Sequence, residues 1–93
     1  MTDLATPNLP TPPGACDTHM HIYENRYPVA PNAIGAPPVG PLSDYYEVRR
    51  RLGLTRNIVV QPSHYGMDNS CTMDAVATLG DSARAVVVVD TTI

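Results

Sequence analysis

Lysine is absent from this 93-residue chain; all six basic residues are arginines, set against nine acids for a net charge of −3. That balance predicts no nucleic-acid footprint. The basic run Arg49-Arg50-Arg51 reads as a solvated helix face rather than a phosphate site. Cysteine is scarce. Cys16 and Cys71 form no CxxC pair, and two cysteines make no disulfide framework. Cys16 is expected to be a small buried apolar residue, and Cys71 a residue in the first turn of a helix. No apolar run approaches the length of a membrane span, so no membrane partner is expected. The first residues lack the basic start and apolar core of a secretory signal. Reduced thiols and a cytoplasmic compartment are therefore expected. There is no Gly-x-Gly-x-x-Gly, no P-loop and no nucleophile elbow, and local spacing builds no Ser-His-Asp triad. Nucleotide cofactors thus have no support.

Proline, by contrast, is plentiful, with ten residues. Residues 1–13 carry Pro7, Pro10, Pro12 and Pro13 and read as an extended N-terminal arm. Pro28, Pro31, Pro37, Pro38 and Pro41, with Gly35 and Gly40, rule out helix or central strand between Tyr23 and Pro41. A loop this long inside one small domain predicts a lid or a pocket wall. Around these breakers the pattern alternates. Ala15 to Ile22 is a first strand. Asp44, with Glu47 as the return half of a capping box, opens a helix that carries Tyr45, Val48 and Leu52 and stops at Gly53. Arg56 to Gln61 is a second strand, buried on both faces because Ile58-Val59-Val60 does not alternate. Asp68 or Asn69 caps a second helix, with Thr72, Ala75, Val76 and Leu79 inward and Gly80 at its end. Ala85 to Val89 is a third strand. The order β-α-β-α-β predicts an α/β fold with a parallel sheet. Three strands and two helices leave an open sheet edge, which predicts a fragment of a longer protein.

The chemistry concentrates in Gly14-Ala15-Cys16-Asp17-Thr18-His19-Met20-His21-Ile22. Strand side chains alternate, so His19 and His21 point the same way. Simple alternation places Asp17 on their face, as an acid held by hydrogen bonds. Two uncharged imidazoles side by side suit one divalent metal, zinc or manganese; protonated ones suit a carboxylate or a carbonyl. Two ligands do not close a tetrahedral site, and His64 and Asp90 are the candidate extra donors. Ser63 reads equally as a substrate contact or a turn residue after Pro62. His64 reads as an exposed loop histidine, Asp90 as a ligand-orienting group or a cap, and Tyr45 as core.

These residues carry a resemblance. Gly14 to Tyr23, with its His-x-His, resembles the opening of the amidohydrolase superfamily, where the motif closes the first strand of a (β/α)8 TIM barrel. Val60-Gln61-Pro62-Ser63-His64-Tyr65-Gly66-Met67-Asp68-Asn69 resembles the second-strand segment of the amidohydrolase-related branch, which holds 2-pyrone-4,6-dicarboxylate lactonases and D-galactarolactone isomerases. The likeness runs from Gly14 to Asp90. It implies that residues 14–93 are the first three β/α units of such a barrel. It also implies a hydrolase that opens a carboxylate-bearing lactone from sugar-acid or aromatic catabolism, with His19 and His21 catalytic. Ser63 would contact the substrate, with His64 and Tyr65 at the rim. The cofactor is then none or one divalent metal on His19 and His21. Two features depart from the lactonase. Gly35-Ala36-Pro37 stands where a tyrosine precedes a Thr-Pro step, and the family's later strands are absent. The alternatives are a sugar-acid lactone isomerase, a metal-dependent decarboxylase of the same superfamily, or an inactive truncated product. The 93 residues alone are expected to have little activity.

Overall fold

The structure is a computed structural model that describes residues 10–90. Most of the expected arm lies outside them. Its last part is tied down where the Thr11 hydroxyl donates to the Leu52 carbonyl. Strand β1 (Cys16–Met20), helix α1 (Leu42–Leu52), strand β2 (Arg56–Val60), helix α2 (Ser70–Leu79) and strand β3 (Ala83–Val86) follow in order. Single helical turns lie at Ser63–Tyr65 and Gly80–Ser82. The three strands form one parallel sheet in the order β1-β2-β3. The α/β alternation read from the sequence is therefore present.

The strands are shorter than the apolar pattern suggested, and β3 starts earlier. Asn57 to Val60 pairs with Ala83 to Val86, so the ladder ends where β2 ends. Val87 to Val89 run on past it and are exposed. Apolar character marked this run; register against β2 decided which part of it is strand.

Between Asp17 and Met20 the β1 register slips. Asp17 opposes Asn57 and Met20 opposes Val59, so Thr18 and His19 together face one residue of β2. This is a bulge, which re-aims side chains. Asp17, Met20 and Ile22 then all look toward the helices. Asp17 does not share the histidine face: its Oδ2 accepts a hydrogen bond from the Tyr45 hydroxyl of α1 at 3.0 Å. Simple alternation missed this because one surplus residue inverts the parity.

The core lies between this sheet face and the helices. It comprises Met20, Ile22, Leu42, Tyr45, Val59, Tyr65, Cys71 and Ala75. Tyr45 is core, as expected, and burial first, then its bond to Asp17, pushes its hydroxyl pKa well up. Cys16 is only half-buried, and it lies away from this core. On the opposite face Ile58 and Val60 are half-buried and Val86 is half-exposed. The second strand is thus covered on one face among the described residues, not on both.

Helix α1 begins two residues before Asp44, with Pro41 as N-cap and no capping box. The Leu42 N–H is taken by Oε2 of Glu24, 18 residues upstream. Glu47, the expected return half, instead holds Arg50 and Arg51 one turn on. Gly53 ends the helix at φ +70°, in the left-handed region that glycine enters without a Cβ penalty. At α2 the Asp68 carboxylate takes the Ser70 N–H and hydroxyl, as a capping acid should. Asn69 occupies the N-cap position, but its side-chain amide pairs with both backbone groups of Val88, at 2.8 and 3.0 Å. It joins the start of α2 to the chain beyond β3.

Candidate functional site

His19 ends the bulge and His21 follows the last residue of β1. The odd positions flanking Met20 send both rings to the face opposite the helices. The rings meet edge-on with centroids 5.2 Å apart, and both residues are exposed. They sit at the carboxyl end of a parallel strand, where open α/β sheets and barrels place their chemistry.

The two rings are not equivalent. Nδ1 of His21 lies 2.8 Å from the Val60 carbonyl oxygen. A carbonyl only accepts, so Nδ1 carries the hydrogen and an uncharged ring presents a lone pair at Nε2. In that state His21 accepts a proton or binds a cation. It donates to a substrate oxygen only as imidazolium. His19 is held through its backbone, whose N–H donates to Asp17 Oδ1 at 3.3 Å. The bulge thus ties the acid to the motif through the main chain while its other oxygen serves α1.

From the pair, aromatic contacts run outward. His21 lies 6.2 Å from Tyr23, and Tyr23 lies 5.8 Å from His64 in an edge-on contact. Tyr23 also meets Tyr65 at 6.0 Å, and Tyr65 meets Tyr27 at 6.2 Å. All three histidines of the chain therefore belong to one string of rings, with Tyr23 between His21 and His64. Tyr23 is pinned by its backbone N–H to the Gly40 carbonyl, 2.8 Å. A Cβ at Gly40 would lie 3.3 Å from the Tyr23 ring, a tight contact that would make the ring shift by a few tenths of an ångström.

The loop between Tyr23 and Pro41 is a wall. Ala30 N–H donates to the His64 carbonyl at 2.7 Å, which ties the loop to the turn after β2. Between loop and turn lies a cavity of about 320 Å³, lined by Tyr23, Tyr27, Val29, Pro37, Val39 and Tyr65 among others. Neither His19 nor His21 lines it. Tyr23 stands between the cavity and the histidine face.

The remaining candidates separate. Ser63 is exposed at the start of its turn, and among the described residues its hydroxyl has no hydrogen bond. His64 is half-buried rather than an exposed loop histidine. Tyr65 is not a free rim residue: it is 3% exposed, and its hydroxyl donates to the Glu24 carbonyl and accepts the Glu24 N–H, at 3.0 and 3.1 Å. Burial pushes its pKa up. Among the described residues no three His, Cys, Asp or Glu side chains gather as a metal-holding group, so His64 and Asp90 do not complete a set with the pair. With Nδ1 spent on Val60, His21 has only Nε2 left for a cation, so the pair by itself does not complete a metal shell.

Sequence reasoning missed Gln61 as a scaffold. It is 6% exposed; its Nε2 donates to the carbonyls of Gly66 and Asp68, each at 2.9 Å, and its Oε1 accepts from Thr72 at 2.6 Å. One amide thus shapes the whole turn that carries Ser63, His64 and Tyr65. A polar residue closing an apolar parallel strand was the available signal, since buried amides need partners.

No family model matches the chain. Curated relatives do. D-galactarolactone isomerase of Agrobacterium fabrum is 42% identical over 89 residues, which are 92% of this chain and 30% of that enzyme. The 4-sulfomuconolactone hydrolase of Rhizobium radiobacter is 43% identical over 67 residues, 70% of this chain and 22% of that one. The 2-pyrone-4,6-dicarboxylate hydrolase of Comamonas testosteroni is 36% identical over 85 residues, 89% of this chain and 28% of that one. The chain thus spans under a third of the length of these relatives. Among solved structures, an Agrobacterium tumefaciens protein in its apo form superposes with a TM-score of 0.83 at 42% identity, over 92% of this chain and 31% of that one. A probable 2-pyrone-4,6-dicarboxylic acid hydrolase from Acinetobacter baumannii gives a TM-score of 0.79 over 86% of this chain and 30% of that one; at 23% identity it speaks for the fold alone. Over most of its length, then, this chain is homologous to a segment of enzymes named for lactone hydrolysis and lactone isomerisation.

Proposed function

We propose that this chain is the portion of a lactone-opening enzyme that carries its carbonyl-binding histidines. The observation that carries the reading is the edge-on pair His19 and His21, side by side at the carboxyl end of β1 on the sheet face away from the helices. In this reading the three strands are the first β/α units of an eightfold barrel of the amidohydrolase type, and that face is the barrel interior. The solved relatives, each about three times as long, support it.

The substrate is a lactone bearing carboxylates. His19 acts on its carbonyl oxygen, where negative charge grows as the ring opens, and His21 donates there only once Nε2 is protonated. A divalent cation, zinc or manganese, held by the two imidazoles would supply a Lewis acid at that oxygen. His21, with Nδ1–H committed to Val60, offers Nε2 to a cation or to a proton. The carboxylate base that takes the proton from water comes from elsewhere in the protein. Ser63 and the His64 side of the turn receive the substrate carboxylate, while Tyr65 contributes shape, its hydroxyl being committed to Glu24.

A lactone isomerase is the second reading, in which a substrate hydroxyl attacks in place of water. It is favoured by the 92% of this chain that aligns with D-galactarolactone isomerase. Incubation with D-galactarolactone, 4-sulfomuconolactone and 2-pyrone-4,6-dicarboxylate, followed by product analysis, separates the two. An acyclic acid indicates hydrolysis and a rearranged ring isomerisation. Turnover that survives in both His19→Asn and His21→Asn removes both readings.

A further inference from the structure

The geometry points to His64 as a hydrogen-bond donor to the substrate through Nε2–H, held in the tautomer opposite to that of His21 by the burial of its own Nδ1. This deepens, and rests on, the lactone reading, because it assigns the polarity of one wall of the same site.

Nδ1 of His64 is buried and has no hydrogen-bond partner, whereas Nε2 is not so enclosed. A hydrogen on Nδ1 would be a buried donor with nothing to accept it, the rarer kind of unsatisfied group. The ring's hydrogen therefore sits on Nε2, the nitrogen that reaches outward. The ring cannot easily turn. It meets the Tyr23 ring near-perpendicularly with centroids 5.8 Å apart, and its carbonyl anchors Ala30 of the long loop. The turn beneath it is fastened by Gln61.

His21 shows the reverse arrangement. Its Nδ1–H is spent on Val60, and its Nε2 carries the lone pair. Tyr23 stands between the two rings and contacts both. On either side of Tyr23, one uncharged imidazole thus offers an acceptor and the other a donor. A ligand that suits both has a cation or proton at one end and an anionic or carbonyl oxygen at the other. A carboxylated lactone has that oxygen to offer His64, and the donor needs no protonation event to act.

The chain has only three histidines, so nitrogen-15 spectra of its ring systems are resolvable one by one. Spectra of the protein at mildly alkaline pH should show His21 with its hydrogen on Nδ1 and His64 with its hydrogen on Nε2; His64→Gln supplies the assignment. A His64 ring with its hydrogen on Nδ1 overturns the inference. Titration of the full-length protein with 2-pyrone-4,6-dicarboxylate should then move the His64 Nε2–H signal together with the His19 and His21 rings. Movement of His19 and His21 without His64 sinks the donor role and leaves the lactone reading standing. Movement of none of the three sinks both. His64→Gln, which keeps an N–H donor, should retain more affinity for that probe than His64→Phe, whose ring has none. Equal loss in the two speaks for a purely steric role.

Discussion

Thr72 of α2 and Gln61, the residue that follows β2, are joined by a buried hydrogen bond of 2.6 Å from the Thr72 hydroxyl to Gln61 Oε1. Thr72 is 0% exposed. The bond fixes which end of the Gln61 amide faces the turn, so both Nε2 hydrogens reach the carbonyls of Gly66 and Asp68. Gln61→Leu should therefore cost roughly 2 to 4 kcal/mol, because it strands a buried hydroxyl and two part-buried carbonyls. Urea unfolding monitored by circular dichroism measures it. A loss below about 0.5 kcal/mol would mean that water replaces the amide without penalty.

The histidine pair gives a prediction about rate. His19→Asn and His21→Asn should each lower lactone turnover in the active protein by about a hundredfold or more, the scale of a positioned acid, base or electrophile. The two should differ in cause. Asparagine at position 21 loses the ring that Val60 orients, whereas asparagine at 19 leaves His21 and its tautomer intact. Comparing turnover with binding of the same lactone distinguishes lost chemistry from lost affinity.

Gly53 tests the left-handed stop of α1. Its φ is +70°, and a Cβ there would lie 3.3 Å from Thr11 Cβ. Gly53→Ala should cost about 1 to 2 kcal/mol through backbone conformation alone. Thermal unfolding of the variant beside Gly35→Ala, which has positive φ but open space, isolates the contribution of the arm contact.

Glu47 should titrate abnormally. Hydrogen bonds from Arg50, then Arg51, hold its pKa at about 2, below its ordinary 4.5. A folded value below the unfolded one means that its contribution is complete above about 4.5 and is lost as the pH falls toward 2. The group is exposed, so salt weakens the effect. Asp68 is lowered too, by its bonds to Ser70. Carbon-13 shifts of the Glu47 carboxyl measured against pH should have a midpoint near 2 and rise toward 4.5 in Arg50→Gln/Arg51→Gln. A normal midpoint in the parent protein would show that the two arginines hold nothing.

Element order, the parallel sheet and the shared direction of the two imidazoles were all legible, because each follows from local signals. These were the unbroken apolar run at Ile58-Val59-Val60, the glycine stops at Gly53 and Gly80, and the spacing of His19 and His21. What escaped depends on distant partners. Nothing near Asp44 reveals that Glu24 caps the helix, or that Glu47 is spoken for by arginines. Asn69 reads as a cap until Val88 is seen beside it. Tyr65 reads as a rim residue until the Glu24 backbone takes its hydroxyl. The facing of Asp17 was lost to a single extra residue, which hydrophobic periodicity cannot detect.

That surplus residue has one more implication. Asp17 and Met20 keep a common direction although an odd number of steps separates them, so the two halves of β1 are phased independently. A version of the chain lacking Thr18 would restore plain pleating, leave the carboxylate under Tyr45 and still turn both imidazoles to the side away from the helices. The length of this segment is therefore free to drift by one without swapping what the helices and the open side each receive. What the kink adds is aim, a local adjustment of the first imidazole that regular pleating would forbid.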